Sequence, residues 1–272
     1  MISVGIIIDK YHLEYKVSDL LKYLKSIANV KIYIEESYLL QSSRLTFDED
    51  VFFVKAKGDL VLSYVKLIEE ETSIPVINPS RAIWLCINRF MNSVYLKKAG
   101  IPVADFSMHP EGNMPLFKDF IIKNIIDQKK YKFNPIITED NGFFRVSDKR
   151  ALEEVYGEDE KYKYYYYQKF IKSNWEYKLY GIGEDVYFSK QLPILDNPNK
   201  LESRQKIERI PELEEYCYKA MEVMDLKLTS LDFLKSNEDL YYLTDINCTP
   251  NFNYIKNGSK IVGDLLIKEG KK

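Results

Sequence analysis

Cysteine and histidine are both scarce in this chain, and their scarcity excludes several kinds of site. The three cysteines, Cys86, Cys217 and Cys248, are odd in number and far apart. That pattern fits neither a disulfide framework nor a Cys-rich zinc site. The two histidines, His12 and His109, are too few for most metal sites and Ser–His arrangements that depend on histidine.

The chain also lacks an excess of one charge and a long apolar run. It carries 39 Lys+Arg against 41 Asp+Glu, a net charge of −2, which argues against a general nucleic-acid binder. No run approaches the roughly 18 apolar residues of a transmembrane helix. The start, MISVGIIIDKYH, lacks the basic residues of a signal peptide. We therefore expect a soluble, cytoplasmic protein with no membrane or nucleic-acid partner.

The first 78 residues have the pattern of a small parallel α/β domain. Segments with the apolar pattern of strands alternate with segments that have the spacing of amphipathic helices. Strands are predicted at 3–9, 30–34, 51–56 and 74–77, and helices at 17–28, with Ser18 as N-cap, and at 59–71. Such alternation is typical of a parallel sheet.

The rest of the chain predicts two further lobes. Asn78-Pro79-Ser80 opens a single long helix that ends at Gly100, with proline before its start and glycine at its end. An extended segment and a loop at 109–115 follow, and then the pattern becomes rich in strands. Strands are predicted at 119–123, 142–146, 164–170, 176–183, 185–191, 228–236 and 240–247, and helices at 147–155, 211–225 and 259–270. The predicted domains are 1–78, then 79–114 with 168–272, and a small lobe at 115–167.

The segment SLDFLKSNEDLYYLTDINCTPNF (230–252) carries the strongest chemical signal. Two adjacent predicted strands each hold one acid near a common end, Asp232 and Asp245. Asn247 lies two residues beyond Asp245, on the same face of its strand. Two carboxylates and an amide oxygen suit Mg²⁺, which takes a few protein oxygens together with phosphate and water. The alternative is that both acids are ordinary hairpin residues.

This segment resembles the metal-binding end of the ATP-grasp enzymes, and three further segments resemble that family in the same order. INRFMNSVYLKKAGIPV (87–103) is similar to its helix followed by Ala-Gly-Ile-Pro. DFIIK (119–123) is similar to its strand that ends in an ATP-binding lysine. YQKFIKSNWEYKLYGIG (167–183) is similar to its hinge strand and the strand that follows. The resemblance covers residues 75–255, and RimK-type ligases are the nearest comparison.

The resemblance implies an α/β fold of the ATP-grasp type, in which a small parallel α/β domain precedes two α+β lobes that enclose an ATP cleft. It implies ATP and Mg²⁺ as cofactors. Arg89 and Lys123 would bind the phosphates, and Glu176 would lie at the nucleotide. The segment Gln168, Lys169, Phe170 and Ile171 would hold the adenine through its backbone. Lys178 and Lys190 would face the γ-phosphate, and Asp232, Asp245 and Asn247 would hold Mg²⁺. Each lysine taken alone is more typical of a solvated surface charge, and only the ordered set of motifs favours these roles.

Two departures from the family pattern concern the phosphates and the metal. No glycine occurs between Lys123 and Gly142, where many members have a Gly-rich loop. Either Lys129, Lys130 and Lys132 contact phosphate by their side chains instead, or this lid is shortened and catalysis is weakened. Asp245 stands where most ligases of the family have glutamate. We expect the lobe at 115–167 to close over ATP and its loop at 127–141 to be ordered by nucleotide.

Three functions remain open at this point. The leading one is a ligase of the RimK type, which phosphorylates a small-molecule carboxylate so that an amine can attack it. The second is a kinase, because Asp-Ile-Asn and EYKLYGIGEDVYFSKQLPI also resemble inositol phosphate kinases. The third is a non-catalytic ATP-binding protein. A homodimer is a further possibility. The acceptor substrate is not readable from the sequence.

Overall fold

A computed structural model describes residues 1–37, 46–110, 115–127, 136–137, 164–193 and 201–272. The predicted parallel sheet at the N-terminus is confirmed, with strand order β2-β1-β3-β4. Its strands are β1 (Ser3–Ile8), β2 (Asn29–Ile34), β3 (Val51–Lys55) and β4 (Val76–Ile77). Its helices are α1 (Lys10–Tyr15), α2 (Ser18–Ile27) and α3 (Asp59–Glu71). Val17 is the N-cap of α2, and Ser18, the predicted cap, is its first helical residue.

Both faces of this sheet are covered, which explains why β1 and β3 are almost wholly apolar. Helix α3 buries Val61, Tyr64, Val65 and Ile68, the spacing of one helical stripe. The opposite face is covered by α2 and by the last helix of the chain, α7 (Gly258–Glu269). The C-terminal helix therefore completes the core of the N-terminal sheet.

The predicted long helix after residue 78 is two helices. These are α4 (Ser80–Ile87) and α5 (Arg89–Lys98). Asn88 between them is extended, with φ −88 and ψ 96, and its side chain accepts a hydrogen bond from the Met91 amide. An asparagine that caps a new helix in this way ends the one before it. The correction places Arg89 at the start of a helix, where its amide donates to the Ile125 carbonyl at 2.8 Å.

A five-stranded antiparallel sheet forms the larger C-terminal part of the chain. Its order is β11-β10-β9-β12-β13. The strands are β9 (Glu176–Ile182), β10 (Asp185–Gln191), β11 (Gln205–Lys206), β12 (Leu228–Lys235) and β13 (Tyr241–Asn247), and α6 (Pro211–Met224) packs on one face. After β13 comes a short 3₁₀ turn at Phe252–Tyr254. The strands predicted from the sequence at 176–191 and 228–247 are confirmed.

A smaller four-stranded sheet has the order β5-β8-β6-β7. Its strands are β5 (Phe106–Pro110), β6 (Phe120–Lys123), β7 (Ile136–Ile137) and β8 (Tyr164–Lys169). Part of the loop predicted at 109–115 therefore belongs to a strand. The strand predicted at 142–146, the helix at 147–155 and most of the loop at 127–141 lie outside the described residues. None of the described helices is long and apolar enough to cross a bilayer.

Asn78 joins the N-terminal sheet to the start of β12 and to the residue that follows β13 in the five-stranded sheet. Its amide nitrogen donates to the Leu228 and Cys248 carbonyls at 2.7 and 2.8 Å. Its oxygen accepts from the Lys227 and Leu228 amides at 2.9 and 3.1 Å. The side chain is buried and makes the full set of bonds that an amide can make at these atoms. The boundary expected at residue 78 is thus a tightly bonded joint.

Candidate functional site

Three charged residues form a row across neighbouring strands of the five-stranded sheet. Asp232 on β12 lies opposite Lys178 on β9 and opposite Asp245 on β13. Because directly opposite residues of antiparallel strands share a face, the three side chains project to the same side. The two acids predicted from separate strands are therefore brought together, and a lysine joins them.

Lys178 and Asp232 form an ion pair in this row. The ammonium donates to Asp232 Oδ1, and both side chains are mostly buried. Burial alone would lower the pKa of Lys178, but the nearby Asp232 carboxylate outweighs it and raises that pKa. Asp245 is more exposed to solvent. One carboxylate of the pair thus faces solvent and the other carries a lysine as its counterion.

Asn247 lies at the end of β13 with its side-chain oxygen already engaged. Oδ1 accepts from the Thr249 amide at 3.0 Å and from the Thr249 hydroxyl at 3.3 Å. This is an Asx-type turn that holds the chain as it leaves the strand. A metal bound at Asn247 would have to share this oxygen with Thr249 or displace the hydroxyl.

Lys123 reaches the row from the smaller sheet. Its ammonium donates to Gln168 Oε1 at 2.8 Å and to the Thr244 carbonyl at 3.0 Å, one residue before Asp245. Burial lowers the pKa of Lys123 to about 8, against the pull of the Asp245 carboxylate. Gln168 and Asp245 also line one small cavity of about 10 Å³, room for about one water molecule.

Arg89 is anchored near the same site by two hydrogen bonds of its guanidinium. It donates to the Asn124 carbonyl at 3.0 Å and to Asp127 Oδ1 at 2.8 Å. Asp127 also pairs with Lys57 at 2.9 Å. The Arg89 Nε atom is buried and has no hydrogen-bond partner among the described residues, which is unusual for so strong a donor.

The hinge segment after β8 offers fewer backbone donors than the sequence suggests. The Lys169 amide donates to the Asp105 carbonyl at 2.7 Å, and the Phe170 amide donates to the Asp119 carbonyl at 2.6 Å. Neither amide can donate to an adenine in this conformation. The groups that remain for the predicted adenine contact are the carbonyls of the segment and the amide of Ile171. Ile171 is itself buried.

The strand register corrects the predicted position of Lys190. Lys190 lies opposite Tyr177, and Tyr177 lies opposite the buried Phe233 on the face that α6 covers. Its ammonium lies 4.4 Å from the centre of the Trp175 ring. Lys178 is on the other face of the sheet, so the two lysines do not face one point.

A different cation, Arg204, lies on the face of Lys178 and was missed by the sequence analysis. Its Nε donates to Gln191 at 2.7 Å and its Nη1 donates to the Tyr180 hydroxyl at 3.1 Å. Gln191 in turn donates to Glu176, the buried acid predicted at the nucleotide. The guanidinium lies 4.0 Å from the centre of the Tyr254 ring. No periodic pattern marks a loop arginine of this kind.

The residues present fit a nucleotide with a divalent cation. Arg89 has a buried donor without a partner in the part of the chain that the structure describes, and Lys123, Lys178 and Arg204 supply positive charge in partly buried positions where anions bind strongly. Within the described part of the chain, no three His, Cys, Asp or Glu side chains are grouped to hold a metal. A metal at Asp232, Asp245 and Asn247 would therefore depend on phosphate and water for its remaining ligands, as Mg²⁺ commonly does.

Comparison with known proteins finds similarity in structure but not in sequence. No protein-family model and no curated protein matches the chain. A RimK-domain ATP-grasp protein of Sphaerobacter thermophilus superposes with a TM-score of 0.72 at 12% identity, covering 97% of this chain and 99% of the other. A RiPP-associated ATP-grasp ligase of Chryseobacterium gregarium, solved with ADP and a leader and core peptide, has a TM-score of 0.70 at 17% identity, covering 99% and 97%. D-alanine–D-alanine ligase of Bacillus anthracis, solved with ATP, has a TM-score of 0.72 at 13% identity, covering 100% and 98%. At these identities the similarity bears on the fold alone.

Proposed function

We propose that this chain, which has the ATP-grasp fold, is an ATP- and Mg²⁺-dependent ligase that joins a carboxylate to an amine. The observation that carries the proposal is the row of Lys178, Asp232 and Asp245 on one face of the sheet. It combines a place for a divalent cation with a cation that can stabilise a transferring phosphoryl group. Two of the similar structures are ligases by name, which supports this choice.

The proposed reaction begins with binding of the nucleotide. Arg89 and Lys123 hold the phosphates, Glu176 lies toward the nucleotide, and the backbone of residues 168–171 holds the adenine through its carbonyls and the Ile171 amide. Asp232, Asp245 and Asn247 would hold Mg²⁺, which would neutralise negative charge on the phosphates. A carboxylate has two oxygens, so Asp232 would hold the metal with one of them while Oδ1 accepts from Lys178.

Lys178 and Arg204 act on the phosphoryl group as it moves to the substrate carboxylate. Both are held on one face of the sheet by residues that fix their positions, Asp232 for the lysine and Gln191 with Tyr180 for the arginine. Fixed positive charge that meets developing negative charge lowers the barrier without reorganisation. The product of this step is an acyl phosphate, which an amine converts to an amide.

The substrates we propose are small molecules, a carboxylate and an amine. A peptide could supply either group, as the leader and core peptide bound to the Chryseobacterium ligase illustrates. A kinase of the same fold would instead transfer the phosphoryl group to a hydroxyl. The products separate these cases.

The test is a measurement of ADP release by the whole protein with Mg-ATP, a panel of amino acids and small dicarboxylates, and hydroxylamine as trap. A ligase forms a hydroxamate with hydroxylamine, whereas a kinase forms a stable phosphate ester and no hydroxamate. Mg-ATP should also raise the melting temperature, since ligand at 100 times its dissociation constant adds about 2.7 kcal/mol. The absence of both a thermal shift and ADP release at millimolar Mg-ATP would refute nucleotide-dependent activity.

A further inference from the structure

The N-terminal sheet has a topological switch point that lies beside the turn after Asn247. In the order β2-β1-β3-β4, the chain leaves β1 toward one edge and returns to build the other edge from β3. In open α/β sheets, ligands bind outside the carboxyl ends of the strands at such a point. A ligand at this switch point would therefore contact the residues that follow β1 and β3.

A paired histidine and aspartate follow β1. Asp9 is buried and begins α1, where Oδ1 accepts from the His12 amide at 2.8 Å. Its second oxygen lies 2.7 Å from His12 Nδ1. The His12 side chain is 20% exposed, so the ring extends toward solvent from a buried anchor. A carboxylate on Nδ1 fixes the orientation of the ring, and a proton taken from a ligand would then go to Nε2.

Two contacts place this pair beside the end of the metal-bearing strand. Lys55, the last residue of β3, donates to the carbonyls of Thr249 and Pro250, directly after Asn247. The Lys16 carbonyl, just past α1, accepts from Asn253 Nδ2 at 3.0 Å. The turn at 249–254 thus touches both segments of the switch point. The same turn carries Tyr254, on which Arg204 lies.

We propose that His12, oriented by Asp9, is the general base for the acceptor amine, which binds at the switch point between β1 and β3. This rests on the proposed ligase function and adds the residue that serves its second half-reaction. His12 Nε2 takes a proton from the acceptor ammonium. The freed nitrogen lone pair forms a C–N bond with the acyl carbon, and the bond from that carbon to the phosphate oxygen breaks. Its electron pair leaves with phosphate, which takes up the second nitrogen proton.

The acidic groups nearby favour an ammonium as the acceptor. Glu36, just past β2, accepts from the Lys10 amide at 2.9 Å, which brings a second carboxylate next to α1. Lys57, two residues past β3, is mostly buried and pairs with Asp127, and the Lys55 ammonium donates to the 249–250 carbonyls. A protonated amine on the α1 side of the switch point would therefore meet the carboxylates of Asp9 and Glu36.

The test compares two nucleophiles on the whole protein with Mg-ATP and the carboxylate that releases most ADP in the panel. Hydroxylamine needs no base and traps the acyl phosphate, whereas an amino-acid ammonium has to lose a proton before it attacks. In His12→Gln, hydroxamate should form at the wild-type rate and amide about 10²-fold or more slowly. Asp9→Asn, which keeps the cap of α1, should lower only the amide rate, to a smaller degree. Glu14→Gln, an exposed change on the same helix, is the control and should alter neither rate.

The outcomes separate this proposal from the function on which it rests. If the wild type forms both hydroxamate and amide, and His12→Gln forms the amide at an unchanged rate, then His12 is not the base. The ligase proposal still stands in that case. Loss of hydroxamate together with amide in His12→Gln also overturns it, since the base would not act on the first step. If the wild type forms neither product with any carboxylate of the panel, the ligase proposal itself fails and the assignment of His12 fails with it.

Discussion

Removing the Asn78 side chain is expected to destabilise the protein more than most single substitutions do. Asn78→Ala leaves the Lys227 and Leu228 amides and the Leu228 and Cys248 carbonyls without the partner that each has now. A buried group left unsatisfied costs about 1–3 kcal/mol. Because water and small backbone shifts recover part of this, we expect a loss near the lower end for four groups, about 4 kcal/mol in the free energy of unfolding.

Urea unfolding followed by circular dichroism measures this change. Asn237→Ala is a matched control, since Asn237 lies exposed in the turn between β12 and β13, and it should change the free energy by less than about 0.5 kcal/mol. A loss below about 1 kcal/mol in Asn78→Ala, with an unchanged slope against urea, would show that the four bonds contribute little. The joint between the N-terminal sheet and the ends of β12 and β13 would then depend on apolar packing alone.

Three further predictions concern the nucleotide site. Asp245→Asn should lower turnover about 10²-fold at limiting Mg²⁺, because it removes a metal-ligand charge worth several kcal/mol. The melting temperature without ligand should be unchanged, and turnover equal to the wild type at every Mg²⁺ concentration would exclude Asp245 as a metal ligand. Lys178→Ala should reduce kcat by about 10²-fold with little change in KM for ATP. Lys190→Ala, on the other face of the sheet, should change neither value. A loss of turnover in Lys190→Ala without one in Lys178→Ala would contradict the register. Affinity for ATP, measured by calorimetry, should fall as pH rises above about 8. Burial lowers the pKa of Lys123 to about 8, so the free protein loses this positive charge above that pH. Lys123→Met should bind ATP weakly at all pH values and lose this dependence.

Much of the fold follows from patterns that the sequence states locally. The strand and helix alternation of the first 78 residues and the two acid-bearing strands near the C-terminus were predictable from apolar spacing, because each segment buries a face set by its own period. Asp232 and Asp245 were predictable as neighbours because one short turn connects their strands. Their confirmed pairing depends on nothing distant in sequence.

The rest depends on facts that a local pattern does not contain. Apolar residues continue at helical spacing through Asn88, so the break becomes visible only with the cap bond to Met91. Lys190 was assigned to the γ-phosphate by the family resemblance, whereas its face is decided by the register across the Gly183–Glu184 turn. Arg204 lies in a loop, and its contacts with Gln191, Tyr180 and Tyr254 arise from three separate parts of the chain.

Asp127 has a consequence for how the protein meets a polyanion. It shares one carboxylate between Lys57, which follows the N-terminal sheet, and Arg89, which begins α5. The protein thus carries its own anion at the place where a phosphate would arrive, and two positive charges present a net charge of one. Long-range attraction depends on net charge, and salt screens it accordingly. We therefore expect capture of nucleotide to be less sensitive to ionic strength than a count of basic residues suggests, with specificity resting on short-range exchange of one anion for another.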